Sequence, residues 1–382
     1  MNVHVWPPKE MTEPRLLIIR LSSLGDVVHA LPAAAALRQA FPEARIDWLV
    51  EKRWAPLLVE NPDLDEVITA DTAAWRRHPM RRATWQAMRQ CRRQLLARHY
   101  QTAIDFQGLY KSGLMAWLSG ATQVVGFAGR FCRERGAAIF YDRTVVPGGL
   151  HVVDHNLSLA RQAPGGRAQV PGAKAAAAPK LGGGVPFFLP RLEEAEAYVE
   201  QRLAEAKVVK FFVVHPGGGW GSKCWPPERY GELCRRLVGS GALTGWRAVV
   251  SYGPGEESLV EAVRRAAGEA SLVVFPTDLL QLIALLRRAG LFIGGDTGPL
   301  HLAVAAGTPV VGLYGPTDPA RNGPYSPLDV VVCNREYGGV AHRRQPEYSP
   351  SILSISVDQV VAAVEERLRS PAPSGMGPRG DG

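Results

Sequence analysis

The chain has 382 residues, of which 46% are hydrophobic and 21% charged, with a net charge of +8. At roughly 150 residues per domain this length makes two to three domains, and the composition is that of a globular protein with an adequate core. No apolar stretch approaches the ~20 residues of a membrane span. The five cysteines (Cys91, Cys132, Cys224, Cys234, Cys333) show no C-x-x-C spacing, which argues against a zinc site or disulfide framework and fits a reducing cytosol.

Residues 1–13 are polar, include Pro7-Pro8 and lack the apolar core of a signal peptide; they are expected to be a disordered extension. From residue 14 to 162, strand-like runs alternate with helical patterns. The strands are Arg15–Arg20, Ile46–Val50, Glu66–Thr69, Thr102–Phe106 and Gln123–Gly126, and the helices Pro32–Ala40, Trp54–Val59, Thr84–Arg98 and Lys111–Leu118. Pro32 is expected near the start of its helix, since a proline deeper inside would break it. Residues 163–190 are rich in Ala, Gly, Pro and Lys and read as a mobile linker.

A second series occupies 191–356. Its strands are Val208–Val214, Arg247–Tyr252, Leu272–Phe275, Leu291–Ile293 and Pro309–Leu313, and its helices Pro227–Val238, Glu256–Ala267, Leu279–Arg288 and Leu300–Ala306. Such alternation means βαβ units and parallel sheets. The fold class is therefore α/β, with two doubly wound halves. The helical stretch Val357–Arg369 is expected to cross back onto the first half, and residues 370–382, rich in Pro, Gly and Ser, to be a disordered tail.

Much of the positive charge lies in one segment holding Arg76, Arg77, Arg81, Arg82, Arg89, Arg92, Arg93 and Arg98. It is either a solvated helix face or a surface for a polyanion such as anionic lipid. No nucleic-acid motif accompanies it, so nucleic acid ranks last as a partner.

Five turns at strand ends could carry chemistry. In Ser22-Ser23-Leu24-Gly25-Asp26 the carboxylate either caps the helix or serves as a general base. In Asp105–Ser112, Lys111 is a solvated first-turn lysine or a contact to an acidic acceptor. His215–Pro226, with Gly217, Gly218 and Gly219, forms an amide nest for anions, with Lys223 as a point charge; its spacing is not that of a Walker A loop. In Tyr252–Glu257, Glu256 or Glu257 either complements the helix dipole or holds nucleotide hydroxyls. Gly294-Gly295-Asp296-Thr297-Gly298-Pro299-Leu300-His301 offers a helix N-terminus suited to phosphate, with Gly298 giving access to the backbone and His301 one turn in; an ordinary N-cap is the plainer reading.

Ser22–Asp26, Asp105–Ser112, the lysine-bearing Gly217–Pro226 loop and Asp296–His301 followed by Tyr314-Gly315-Pro316-Thr317 occur in the order found in glycosyltransferase family 9, the bacterial lipopolysaccharide heptosyltransferases. The chain resembles that family over about residues 14–369. Ile46–Glu51 and Gln107…Ser112 resemble the type I enzymes more than type II. The resemblance implies a GT-B fold, with two Rossmann-like domains facing across a cleft. It implies transfer of heptose with inversion from ADP-heptose to the Kdo region of Kdo-lipid A, by a cytoplasmic enzyme peripheral to the inner membrane.

By motif, Asp26 resembles the catalytic base and Lys223 the diphosphate lysine. Gly217, Gly218, Ser222, Thr297 and Gly298 resemble the donor phosphate site, with Asp296 and His301 beside it and Glu256 toward the nucleotide. Ser22, Ser23, Gly25, Arg76, Arg77, Lys111 and Arg133 resemble the acceptor site. The glycines at 217–219 depart from the threonines of other members. No metal site is implied, and Mg²⁺ is expected to stimulate at most. A type II-like transferase on a different acceptor, another nucleotide-sugar transferase, and a GT-B-like epimerase are the alternatives.

Overall fold

The computed structural model describes residues 13–163, 187–239, 242–268, 272–337 and 346–370. The expectations of disorder for the N-terminal extension and the tail, and most of the 163–190 linker, lie outside these residues. At the linker's end, Leu189 is buried and its carbonyl accepts from Arg287, so residues 187–190 pack on the second half.

The first half contains β1 (Arg15–Ile19), β2 (Arg45–Glu51), β3 (Glu66–Ala70), β4 (Thr102–Asp105), β5 (Gln123–Phe127) and β6 (Arg143–Val145). Its helices are α1 (Leu24–Val28), α2 (Leu31–Ala40), α3 (Thr72–Arg77), α4 (Arg82–Leu96), α5 (Tyr110–Leu118) and α6 (Val152–Gln162). The second half contains β7 (Phe211–His215), β8 (Arg247–Tyr252), β9 (Leu272–Pro276), β10 (Leu291–Gly295), β11 (Val310–Tyr314) and β12 (Val330–Cys333). Its helices are α7 (Glu193–Glu205), α8 (Pro227–Gly239), α9 (Glu257–Ala267), α10 (Leu279–Arg288), α11 (Gly298–Ala305), α12 (Pro319–Asn322), α13 (Pro350–Leu353) and α14 (Val357–Arg369).

Both six-stranded sheets are parallel. The first runs β3-β2-β1-β4-β5-β6 and the second β12-β11-β10-β7-β8-β9, which is the same order read from the other edge. This is the doubly wound topology, in which strand order reverses at one crevice where ligands bind. The crevice lies between β1 and β4 in the first sheet and between β7 and β10 in the second. The expected α/β, two-domain GT-B architecture is the one observed.

Strand periodicity explains the layers. Leu16 and Ile18 face one apolar cluster while Leu17 and Ile19 face another across the sheet; Phe211 and Val213 part from Phe212 and Val214 in the same way. One cluster spans both halves, joining Leu24, Val27 and Leu31 to Leu282, Leu300 and Leu302. Pro32 is the second residue of α2, where its missing N–H costs no helical bond. Residues Lys52–Leu58 form a 3₁₀ helix holding Pro56 rather than the α-helix expected at Trp54–Val59.

Two expectations need correction. The chain carries helices at α3, α6 and α7 and edge strands β6 and β12 that the apolar runs did not announce. And α14 does not return to the first half: Val357, Val360 and Val364 pack with Phe212, Val250 and Val311 on the second sheet. Helical spacing defines an apolar face but not which sheet receives it. The assignment is reinforced by Arg367, whose buried guanidinium lies 3.0 Å from the buried carboxylate of Asp329. Breaking one side of a buried pair leaves an uncompensated charge. Arg367→Ala is therefore expected to destabilise the chain by about 3 kcal/mol in urea unfolding; unchanged stability would contradict this docking.

Candidate functional site

All the catalytic and donor candidates but Glu256 lie on loops or helix starts at the two crevices. In the first half, Asp26 sits at the third position of α1 and accepts from the Ser23 N–H (3.0 Å) and the Ser23 hydroxyl (2.9 Å). Capping does not exhaust it. Arg20, a buried guanidinium at the end of β1, is 2.7 Å from Oδ1, and the exposed Arg133 is 3.1 Å from Oδ2. Burial works against the charge of Asp26, but Arg20 and then Arg133 outweigh it and hold the carboxyl well below the usual range. Arg133 is placed by a backbone device. Gly108 has φ +68°, and a Cβ there would lie 3.0 Å from the Cys132 Cα and 3.3 Å from the Arg133 nitrogen. Glycine thus lets the 132–133 backbone close on the crevice.

Gln107 ties the loops together, accepting from Leu21 N–H (2.8 Å) and donating to the Ser22 hydroxyl (3.4 Å). Buried Asp105 accepts from Gln107 N–H, Ser112 and Tyr141 and so sets the turn into α5. Lys111 is not a free contact: its ammonium lies 3.4 Å from buried Glu51 and 3.3 Å from Thr72 Oγ1. Arg76 and Arg77 stand exposed at the end of α3.

In the second half, Lys223 Nζ is 2.6 Å from Asp296 Oδ2 and lies over the Trp220 ring at 4.9 Å. His301 Nε2 is 3.0 Å from Asp296 Oδ1. Burial opposes ionisation of Asp296, yet its bond to His301 and the charge of Lys223 bring the carboxyl well below its ordinary value. Among the described residues the hydroxyls of Ser222 and Thr297 are buried without a hydrogen-bond partner; Thr297 precedes the first turn of α11, whose leading amides have no partner within the helix. Glu256 bonds Gly253 N–H at 2.9 Å and crosses over Gly217, where a Cβ would lie 2.0 Å from its Oε1. Gly218 adjoins Thr297 and Cys224 in the same way. Trp225, by contrast, belongs to the core.

The halves meet at α1 and α11. A Cβ on Gly25 would lie 2.6 Å from His301 Cδ2, and one on Gly298 would lie 2.5 Å from Leu24 Cδ2. Gly298 thus packs against Leu24 here instead of standing open to a phosphate, which corrects the reason expected for it. Asp26, Ser23 and Arg133 come together on one side of this junction, and Lys223, Asp296, Thr297 and His301 on the other.

Arg20, His29 and Glu51 escaped the sequence reading. A single arginine closing the apolar run of β1 was the available signal for Arg20; Glu51 and His29 carried none apart from their place at the end of β2 and just past α1. Among the described residues no group of three or more His, Cys, Asp or Glu is arranged to hold a metal, and no helix is long and apolar enough to cross a membrane.

The pattern of glycosyltransferase family 9 (heptosyltransferase) matches residues 88–351. The chain belongs to this family. It is 30% identical to lipopolysaccharide heptosyltransferase 1 of Pseudomonas aeruginosa, over 81% of each chain. It is also 30% identical to lipopolysaccharide heptosyltransferase 1 of Escherichia coli, covering 84% of this chain and 93% of the relative. The solved E. coli heptosyltransferase WaaC with ADP superimposes with a TM-score of 0.71 at 26% identity, over 92% of this chain and 99% of that one. The protein is thus a glycosyltransferase, and the family expectation stands.

Burial holds four histidines of this transferase, His29, His151, His155 and His215, below their ordinary value of 6.5. Above that pH they are neutral folded or unfolded. Below it the unfolded chain takes up protons that the folded chain refuses, so stability falls by up to about 1.4 kcal/mol per pH unit for each. Asp26 and Asp296 add losses only below about pH 5, where the unfolded carboxyls begin to protonate. Thermal unfolding followed by circular dichroism is expected to show a constant Tm between pH 7 and 8 and a steady fall from 6.5 to 5.

Proposed function

We propose that this transferase moves L-glycero-D-manno-heptose from ADP-heptose to the Kdo region of Kdo-lipid A, with inversion, in lipopolysaccharide inner-core biosynthesis. The observation that carries the reading is Asp26, an ionised carboxylate only 21% exposed, on a helix that abuts the start of α11. The two relatives named lipopolysaccharide heptosyltransferase 1 support the acceptor class, and the neighbour solved with ADP supports the nucleotide.

In this mechanism Asp26 takes the proton of the acceptor hydroxyl as it attacks the anomeric carbon from the face opposite ADP. Its two arginines keep it ionised but make it a weak base. Arg133 is the exposed one of the two. An anionic group on the acceptor would share Arg133 and loosen its hold, so binding the correct acceptor raises the basicity of Asp26. The departing ADP meets Lys223, the first-turn amides of α11, the Gly217 and Gly218 nest, and the unpartnered hydroxyls of Ser222 and Thr297. With that charge supplied by the chain, Mg²⁺ acts as a stimulant at most. Glu256 faces the nucleotide side of the nest.

The arginine segment supports peripheral contact with the cytoplasmic leaflet of the inner membrane. Helix α4 buries Thr84, Cys91 and Leu95 and turns Arg82, Arg89, Arg92 and Arg93 outward together with Trp85 and Met88. Basic and aromatic side chains on one exposed face suit an anionic lipid surface. Arg98 is not part of this face, since it pairs with Glu66 and Asp47.

Incubation with ADP-heptose and Kdo-lipid A, with products weighed by mass spectrometry, tests the reaction. Asp26→Asn is expected to lower kcat at least ~100-fold with ADP affinity within about twofold. Lys223→Ala is expected to weaken ADP binding at least ~tenfold, and transfer should persist in a chelator. Retained turnover in the first, or unchanged ADP affinity in the second, removes the assigned role.

Replacing Arg76, Arg77, Arg81 and Arg82 with Gln is expected to reduce binding to anionic vesicles at low salt, at about 1 kcal/mol per residue. Equal sedimentation of the variant and the parent protein would leave the segment a solvated face.

A further inference from the structure

One polar chain crosses from the first half to the second. His29 Nε2, just past α1, is 3.1 Å from His301 Nδ1. His301 Nε2 is 3.0 Å from Asp296 Oδ1, and Asp296 Oδ2 is 2.6 Å from Lys223 Nζ. Apart from Lys223 its members are nearly closed to solvent: His29 is 5% exposed, His301 6% and Asp296 3%.

We propose that His29 is a positioning residue for the donor site, acting through His301 and Asp296 on Lys223, so that the diphosphate clamp is completed by a side chain of the acceptor half. This deepens the function proposed above and rests on its assignment of Lys223 to the donor diphosphate.

The carboxylate fixes the direction of the two bonds it receives. Asp296 is ionised and can only accept, so His301 Nε2 carries a proton. The second contact joins His301 Nδ1 to His29 Nε2, one nitrogen donating and the other accepting. Burial disfavours the charged form of His29, so its ring is neutral and offers one donor and one acceptor nitrogen. Its backbone is fixed from two directions: its N–H bonds Gly25 O at 2.9 Å, and its carbonyl accepts from Asn156 of α6 at 2.9 Å. The His151 ring stands edge-on at 5.7 Å. Gly25 keeps the path open, since any side chain there would strike His301.

A histidine hydrogen-bonded through both ring nitrogens has its orientation set by those contacts. Without His29, His301 could rotate about its side chain, and Asp296 would lose one of the two groups that aim it. Lys223 would then hold its ammonium less well against the donor phosphates. A simple packing role for His29 predicts something different: lower stability with donor affinity intact.

The experiment compares His29→Leu and His29→Gln in the full-length protein. Leucine keeps much of the volume and removes the ring nitrogen. Glutamine places an amide, able to donate or to accept, at a reach similar to imidazole Nε2 and restores the contact. ADP affinity is measured by calorimetry, and the KM for ADP-heptose and kcat by transfer assay. His29→Leu is expected to weaken ADP binding and raise KM by about tenfold, the size of one ordinary hydrogen bond. His29→Gln should stay within about twofold of the parent. In a Lys223→Ala background, His29→Leu should cost little further, because the two act through one chain.

Parent-like ADP affinity and KM in His29→Leu would overturn the proposal. So would equal losses in both variants, or additive losses with Lys223→Ala. A parent protein that binds no ADP would overturn the donor assignment and the proposal with it, whereas ADP binding untouched by His29→Leu overturns the proposal alone.

Discussion

Two helix starts, α1 and α11, touch across the junction of the halves, and the site depends on how closely they do so. Gly25 lies against His301, and Gly298 lies against Leu24. A methyl group at either position would fall within 2.6 Å of its neighbour, closer than packed atoms approach. The two glycines therefore serve the approach of one half to the other. That approach brings a helix carrying Asp26 against the helix start beside Asp296, and it makes one apolar cluster continuous from the first sheet to the second.

On either side of this contact the chain repeats one electrostatic arrangement. Each half presents an ionised carboxylate flanked by two nitrogen partners, Asp26 by Arg20 and Arg133, and Asp296 by Lys223 and His301. In each pair one partner is well buried and fixes geometry. The other is the one that meets an anion in the proposed function, Arg133 at the proposed acceptor side and Lys223 at the proposed donor side. A carboxylate left alone in such a place would be costly and would neutralise itself. Paired in this way, both stay charged with their cations aimed.

The same topology underlies both halves. In each sheet the strand order reverses between its first and fourth strands, and the catalytic and donor candidates but Glu256 gather at those reversals. The crevice at a reversal is the one place where two loops leave the sheet in opposite directions, so a ligand can sit between them. In the proposed function two such crevices would hold a donor and an acceptor together and limit access of water as a competing nucleophile.

By itself the sequence determined the parallel α/β class, the division into two halves, and the turns that carry Asp26, Lys223 and Asp296–His301, because each is a local event: an apolar run of fixed period ending in small or capping residues. It could not decide contacts between residues distant in the chain. The apolar stripe of α14 is plain in Val357, Val360 and Val364, yet only packing and the Arg367–Asp329 pair choose its sheet. Lys111 reads as a free cation until folding brings Glu51 beside it. Arg20 and His29 became site residues only when their partners arrived from 6 and 272 positions away. Periodicity writes secondary structure into short stretches of chain, whereas the partner of a buried charge is set by which surfaces meet, and that belongs to the tertiary structure alone.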